Sequence, residues 1–271
     1  MRAAQGAMAR IALGIEYDGT RYAGWQSQTH ASGIQAVIES ALARVADHPV
    51  ELMAAGRTDA GVHAAMQIAH FDTHAERSER GWTLGANTYL PSDISVQWAR
   101  PVPESFHSRY SALARTYRYF ILNRPARSAL AVNRVCWIRE PLAADRMHAA
   151  AQALVGEHDF SSFRGAECQS PTPIRRLFSI DVQRTLEIVV IRVTANAFLH
   201  HMVRNIAGVL IAVGSGARTV EWCGEVLAAR DRTRGGVTAE AAGLYLWHVQ
   251  YAEALGLPTE PHWKGPLLPS Y

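Results

Sequence analysis

The sequence predicts an α+β protein built on mainly antiparallel sheet. Three observations carry this. Strand-like and helix-like runs follow one another without strict β-α-β alternation. The closely spaced Pro101 and Pro103 break the chain into two portions. Each portion holds several strands and about two helices by apolar periodicity.

The elements follow in order. Residues 10–17 alternate into an apolar strand that ends at the turn Asp18-Gly19. Ser32-Gly33-Ile34-Gln35 reads as a capping box. Ile34, Val37, Ile38, Ala41, Leu42 and Val45 then fall on one helical face. Residues 67–73 read as a strand, and 80–90 as a helix stopped by Pro91. Residues 94–98 form a further strand, broken at Pro101 and Pro103. Beyond the break, 112–122 is a long strand. It carries Arg115, Tyr117 and Tyr119 on one face and Thr116, Arg118 and Phe120 on the other. Residues 145–155 are a helix ended by Gly156, and 178–183 with 186–194 a hairpin. An apolar helix over 200–213 ends at Gly214, a shorter helix spans 220–229, and 243–250 is a closing strand. The expected organisation is a flexible extension over 1–9 (with Met8 as an alternative start), an N-terminal subdomain over 10–103 and a C-terminal subdomain over 104–271.

Composition narrows the function. Of 271 residues, 48% are hydrophobic and 19% charged, the balance of a soluble globular enzyme. No apolar run is long enough to span a bilayer, and the N-terminus has no secretory core. The three cysteines are far apart and form no C-x-x-C pair, which fits a reducing cytoplasm. The adjacent His200 and His201 lack the spacing of helical metal ligands. No metal and no cofactor are expected: the chain has no dinucleotide fingerprint and no P-loop.

The charge is uneven. Residues 100–139 hold eight arginines and one acid, Glu104. Lys264 is the only lysine. Arginine forks match phosphate oxygens and stack on bases, and a local basic stripe with aromatics between marks nucleic-acid binding. A GC-rich coding sequence accounts for arginine over lysine but not for the clustering.

The segment Ala54-Ala55-Gly56-Arg57-Thr58-Asp59-Ala60-Gly61-Val62-His63-Ala64 carries the chemistry. An extended backbone sends Arg57 and Asp59 to one side. The flanking glycines permit a sharp turn or the close approach of a ligand. One carboxylate beside one permanent cation suits a nucleophile better than a general acid. Taken alone, Arg-Thr-Asp is better explained by an Asx-turn with a surface ion pair.

Taken whole, the eleven residues resemble the active-site loop of the tRNA pseudouridine synthase A family. There the Asp of the G-R-T-D-A-G-V-H-A run is the nucleophile, which implies Asp59 here. Arg115-Thr116-Tyr117-Arg118-Tyr119 resembles the family's A-R-x-Y-R-Y strand, and implies that Tyr117 packs against the target uracil with Arg118 nearby on RNA. Phe106-His107-Ser108-Arg109-Tyr110-Ser111 resembles its F-H-A-R-F-S loop, an RNA contact. Phe198-Leu199-His200-His201-Met202-Val203-Arg204-Asn205-Ile206 resembles F-x-H-H-M-V-R-N-I, whose Arg pairs with the catalytic Asp. An arginine snorkelling from a helix edge explains Arg204 without that pairing. Gly243-Leu244 resembles the closing strand, whose Leu lines the uracil pocket. Glu167-Cys168-Gln169-Ser170-Pro171 matches another RNA-facing loop. The likeness spans about residue 10 to residue 269. One departure is Arg124-Pro125-Ala126-Arg127, where proline removes a donor from a basic loop.

The resemblance implies a cytoplasmic isomerase converting uridine to pseudouridine at positions 38, 39 and 40 in the anticodon arm of tRNA. Arg57 would occupy the space left by the flipped nucleotide. The resemblance also implies two subdomains joined in one continuous sheet, helices packed on one side, the cleft between them, and a homodimer. Two other readings use the same residues. A non-catalytic RNA-binding protein keeps the stripe without needing Asp59. A carboxylate-nucleophile nucleoside hydrolase needs Asp59 without the stripe.

Overall fold

A computed structural model describes residues 8–26, 32–258, 260–263 and 265. The expected extension over 1–9 therefore lies largely outside the described residues. The fold is α+β as the sequence predicts, with ten strands and five α-helices among the described residues. It divides into two compact units. The first comprises Met1–Leu113 and Leu246–His262, the second Ala114–Tyr245 and Trp263–Tyr271.

In the first unit, β1 (Ala9–Tyr17) lies antiparallel between β3 (His63–Thr73) and β4 (Ile94–Val102). The strand order is β4-β1-β3-β10, where β10 is Leu244–Gln250, and the short β2 (Met53–Ala54) also pairs with β3. Helix α1 (Ile34–Ala46) buries Ile34, Ile38, Ala41 and Leu42, four of the six positions of the expected face. It packs on α2 (Glu79–Tyr89), which packs on β4. At their crossing a β-carbon on Gly85 would lie 3.0 Å from Val45 Cγ2.

Two expectations are corrected. The helix is not started by a capping box. Gly33 is its N-cap, and Gln35 sends its side-chain N–H to Glu39 Oε1 and the Leu52 carbonyl. The first helical N–H groups are met instead by backbone, Ile34 by the Gly24 carbonyl at 3.1 Å and Gln35 by that of Trp25 at 2.9 Å. Nor does Pro101 break its strand, because β4 runs on to Val102 with Pro101 opposite Ile11. As the last strand in its unit's order, β4 has an outer edge on which a missing N–H costs no ladder bond.

The second unit orders β5 (Ala114–Asn123), β9 (Ile188–Ala195), β8 (Ile174–Thr185) and β7 (Gly156–Asp159) antiparallel, with β6 (Cys136–Ile138) parallel to β5. Helices α3 (Ala144–Ala151), α4 (Met202–Gly214) and α5 (Trp222–Ala229) pack together, α3 against β8 and α4 against β5. Leu186, at φ +54°, turns the β8–β9 hairpin. No helix among the described residues is long and apolar enough to cross a membrane.

Candidate active site

The Asp59 loop joins β2 to β3 and is held from both sides by the first unit's backbone. Ala55 N–H donates to the Ile68 carbonyl at 2.7 Å, and Gln67 Nε2 to the Gly56 carbonyl at 2.6 Å. Thr58 is buried. Its carbonyl accepts from Trp25 N–H at 2.9 Å, and its hydroxyl shares a 2.8 Å hydrogen bond with Tyr17. Exposure alternates through exposed Arg57, buried Thr58 and half-buried Asp59, the pattern of an extended segment. The chain then turns, with Val62 N–H on the Asp59 carbonyl at 3.1 Å and Gly61 at φ +74°. Behind the loop, a β-carbon on Gly24 would lie 2.6 Å from the Thr58 carbonyl oxygen. His63 Nδ1 accepts from Gly19 N–H at 3.1 Å and lies 3.2 Å from Asp18 Oδ1. The His63 side chain beside it leads the effects holding the Asp18 carboxyl well below its ordinary range.

The 103–111 loop belongs to the same unit. Phe106 and Ser108 are buried and act as its roots. Phe106 packs against His70 and Tyr251 at 5.8 and 5.2 Å between ring centroids. Ser108 donates its N–H to His70 Nδ1 and its hydroxyl to the Met53 carbonyl, and its own carbonyl accepts from the Tyr251 hydroxyl. His107 Nδ1 accepts from the N–H groups of Arg109 and Tyr110. Arg10 binds the carbonyls of Glu104 and Phe106 while forking onto Asp72. Arg109 and Tyr110 are thereby presented outward, Tyr110 75% exposed with the Arg109 guanidinium 5.5 Å from its ring centre.

The remaining candidates lie in the second unit. Tyr117 is a buried residue of β5, its ring 5.0 Å from Phe198 in an edge-on pair. Arg118 is half-buried and stands opposite Arg192 of β9. Leu244 is buried at the start of β10. His200 and His201 stack at 3.9 Å just before α4, His201 at φ +60°. Arg204, in the first turn of α4, donates from Nε to the Ala239 carbonyl at 2.8 Å. In the 165–172 loop Glu167, Gln169 and Pro171 are exposed, Cys168 and Ser170 half-buried. Arg164 ties the loop through the carbonyls of Cys168 and Ser170, and buried Arg175 through the Ser170 hydroxyl. Burial alone would raise the Cys168 thiol, but backbone hydrogen bonds from Ser170 and His200, together with Arg164, bring it below its ordinary value. The eight arginines of the stripe are divided between the units. Arg124, in the proline-containing loop, is held by Glu187 and the Ala126 carbonyl.

A family model described as tRNA pseudouridine synthase matches residues 14–111 and 150–252, taking in the Asp59 loop and Arg204. The chain belongs to that family. A tRNA pseudouridine synthase A of Methylococcus capsulatus is 59% identical over 248 residues, covering 92% of each chain. One from Coxiella burnetii is 56% identical over 254 residues, 94% of this chain and 97% of the relative. One from Aeromonas hydrophila is 55% identical over 258 residues, 95% of each. The chain is accordingly an isomerase and a tRNA pseudouridine synthase, which sets aside the pure binding protein and the nucleoside hydrolase.

Sequence reasoning missed several residues that shape this synthase. His70 roots the 103–111 loop, and Arg232, Thr238 and Ala239 lie against the Arg204 turn. Asn205 was read only as part of the family signature. It is 1% exposed and receives hydrogen bonds from both Arg232 and Thr238. An Asn beside an arginine in an apolar helix was a signal available in the sequence, since buried polar groups must find partners.

Proposed function

We propose that this synthase isomerises uridine at positions 38, 39 and 40 of the tRNA anticodon stem-loop, with Asp59 as the nucleophile. The N1–C1′ bond breaks, the uracil turns, a C5–C1′ bond forms, C5 gives up its proton and N1 gains one. The base keeps its composition, so no oxidant or reductant enters. Asp59 forms or stabilises the species in which the glycosidic bond is open. Arg204 pairs with that carboxylate and aims it. Tyr117 and Leu244 pack on the flipped uracil, and Arg57 fills the space it leaves. Extrusion costs a few kcal/mol, least at a loop or helix-end nucleotide, which suits the anticodon arm.

One observation carries the reading most. The Asp59 loop is fixed by buried backbone contacts at Thr58 and Val62 and by the buried His63 side chain on Gly19 N–H, while Asp59 itself stays partly open to solvent. A preorganised, accessible carboxylate is what nucleophilic catalysis needs. Arg109, Tyr110, Arg118 and the exposed residues of the 165–172 loop serve as tRNA contacts. The working enzyme is a cytoplasmic homodimer.

The test is tritium release from C5-tritiated uridine in unmodified tRNA, with pseudouridine mapped by position. Wild-type enzyme releases tritium from the three positions. Asp59→Asn and Asp59→Ala release none while still retaining tRNA on a filter. Pseudouridine made by Asp59→Asn without deamidation overturns the nucleophile.

A further inference from the structure

Arg204 does not set its own direction. Residue 239 grips it twice: Arg204 Nε donates to the Ala239 carbonyl at 2.8 Å, and Ala239 N–H donates to the Arg204 carbonyl at 3.1 Å. What places Ala239 therefore helps to place the guanidinium.

Ala239 is itself placed from both sides. Before it, the Thr238 hydroxyl donates to Asn205 Oδ1 at 2.6 Å and accepts from Arg232 Nη2 at 2.9 Å. Arg232 Nη2 also reaches Asn205 Oδ1 at 3.0 Å, and its Nη1 holds the Gly236 carbonyl at 3.0 Å. Asn205 is anchored in turn by its amide on the Phe163 carbonyl at 2.8 Å. After it, the Glu240 carbonyl accepts from the buried Tyr119 hydroxyl at 2.8 Å. Between these anchors the segment lies directly on α4, since a β-carbon on Gly208 would stand 1.8 Å from the Val237 carbonyl oxygen. The donors and acceptors are mutually consistent. The hydroxyl gives to the amide oxygen and receives from the guanidinium, so each member fixes the next.

This is more than a loop needs for stability. Arg232 is a half-buried cation spent on three neutral oxygens, all belonging to the structure that carries Ala239. We propose that Arg232 and Thr238 are positioning residues for the isomerisation, holding the 236–240 segment on α4 so that the Ala239 carbonyl fixes the Arg204 guanidinium. The inference rests on the proposed role of Arg204.

The test is a double-mutant cycle on the full-length enzyme, read as single-turnover pseudouridine formation at saturating tRNA, with tRNA affinity measured separately. Thr238→Val keeps the shape and removes the hydroxyl, whereas Thr238→Ser restores it. Misplacement by up to an ångström predicts a rate loss of about 10- to 100-fold for Thr238→Val, with affinity and the Thr238→Ser rate held within about threefold of wild type. In an Arg204→Ala background Thr238→Val causes no further loss, because the group it positions is gone. Arg232→Lys, which keeps the charge and loses the fork, follows the same cycle and serves if Thr238→Val does not fold. A wild-type rate from folded Thr238→Val or Arg232→Lys overturns the inference. So does a loss that persists undiminished without Arg204. A wild-type rate from Arg204→Ala alone fails the role of Arg204 first, and this inference with it.

Discussion

Gly19 lies against Val62 so closely that a β-carbon on it would sit 2.0 Å from the Val62 carbonyl oxygen. The obstacle is backbone, three residues beyond Asp59, and it cannot rotate away. Gly56, on the other side of the Asp59 loop, has nothing within 4 Å of a built β-carbon.

The two glycines therefore separate in experiment. Gly19→Ala costs about 1–3 kcal/mol by overpacking, a fall in Tm of roughly 3–10 °C, and lowers turnover by displacing the loop. Gly56→Ala changes stability by less than about 0.5 kcal/mol. Denaturant or thermal unfolding of both variants checks this. Equal losses would show that the loop does not lean on Gly19.

Stability should also depend on pH through the roots of the 103–111 loop. Burial first, then the cation of Arg10 and His107, push the His70 imidazole down to about 4, while Asp72 opposes them. Burial likewise lowers His107. Unfolded histidine takes its proton near pH 6.5, so below that the unfolded state binds more protons. The stabilisation is complete above about pH 6.5 and is lost as pH falls toward 4, at up to about 1.4 kcal/mol per pH unit for one such group. Urea unfolding across this window should show the slope, and His70→Gln should flatten it. An unchanged slope in that variant assigns the effect elsewhere.

Tyr117 separates ring from hydroxyl. Tyr117→Ala loses the ring proposed to lie under the uracil, a platform worth about 1–3 kcal/mol per stacked base. Tyr117→Phe keeps the platform and the edge-on contact with Phe198, so it binds tRNA normally. If the hydroxyl takes the C5 proton, the Phe variant stalls after the glycosidic bond has opened. Single-turnover kinetics with mass analysis of trapped RNA adducts reads both. Wild-type rates from both variants remove Tyr117 from the site.

Removing the charges of Arg109 and Arg118 together should weaken tRNA binding at every sequence. It should also reduce the slope of log affinity against log salt by roughly 1.5, since two phosphate contacts release fewer counterions. An unchanged slope shows that neither arginine lies on the phosphate track.

Much of this was legible in the sequence because it is local. Long periodic segments such as 34–45 and 200–213 announce their helices, and a run as specific as Gly56-Arg57-Thr58-Asp59-Ala60-Gly61 marks its loop. What escaped is short or non-local. β2, β6 and β7 are two to four residues long, too brief for a period to show. The start of α1 escapes the sequence because its cap comes from the carbonyls of Gly24 and Trp25 and not from Ser32. Pro101 reads as a breaker until its strand is known to lie at an edge. The Ala239 clasp on Arg204 joins residues 35 apart in sequence, across a segment with no pattern of its own.

The first unit is assembled from two separated stretches of the chain: its strand order closes with β10, whose last five residues belong to it. During synthesis β3, the strand that follows the Asp59 loop, emerges long before its neighbour at 246–250. Until then the part of that edge of β3 not covered by β2 has its hydrogen-bonding groups open, a template for wrong pairings that a growing chain must survive. The second unit has nearly all its residues in one stretch and can fold in the interval. The Asp59 loop is thus encoded early and its sheet completed late, and a ribosome that stops short of residue 246 releases a chain with that loop but without the strand that finishes its sheet.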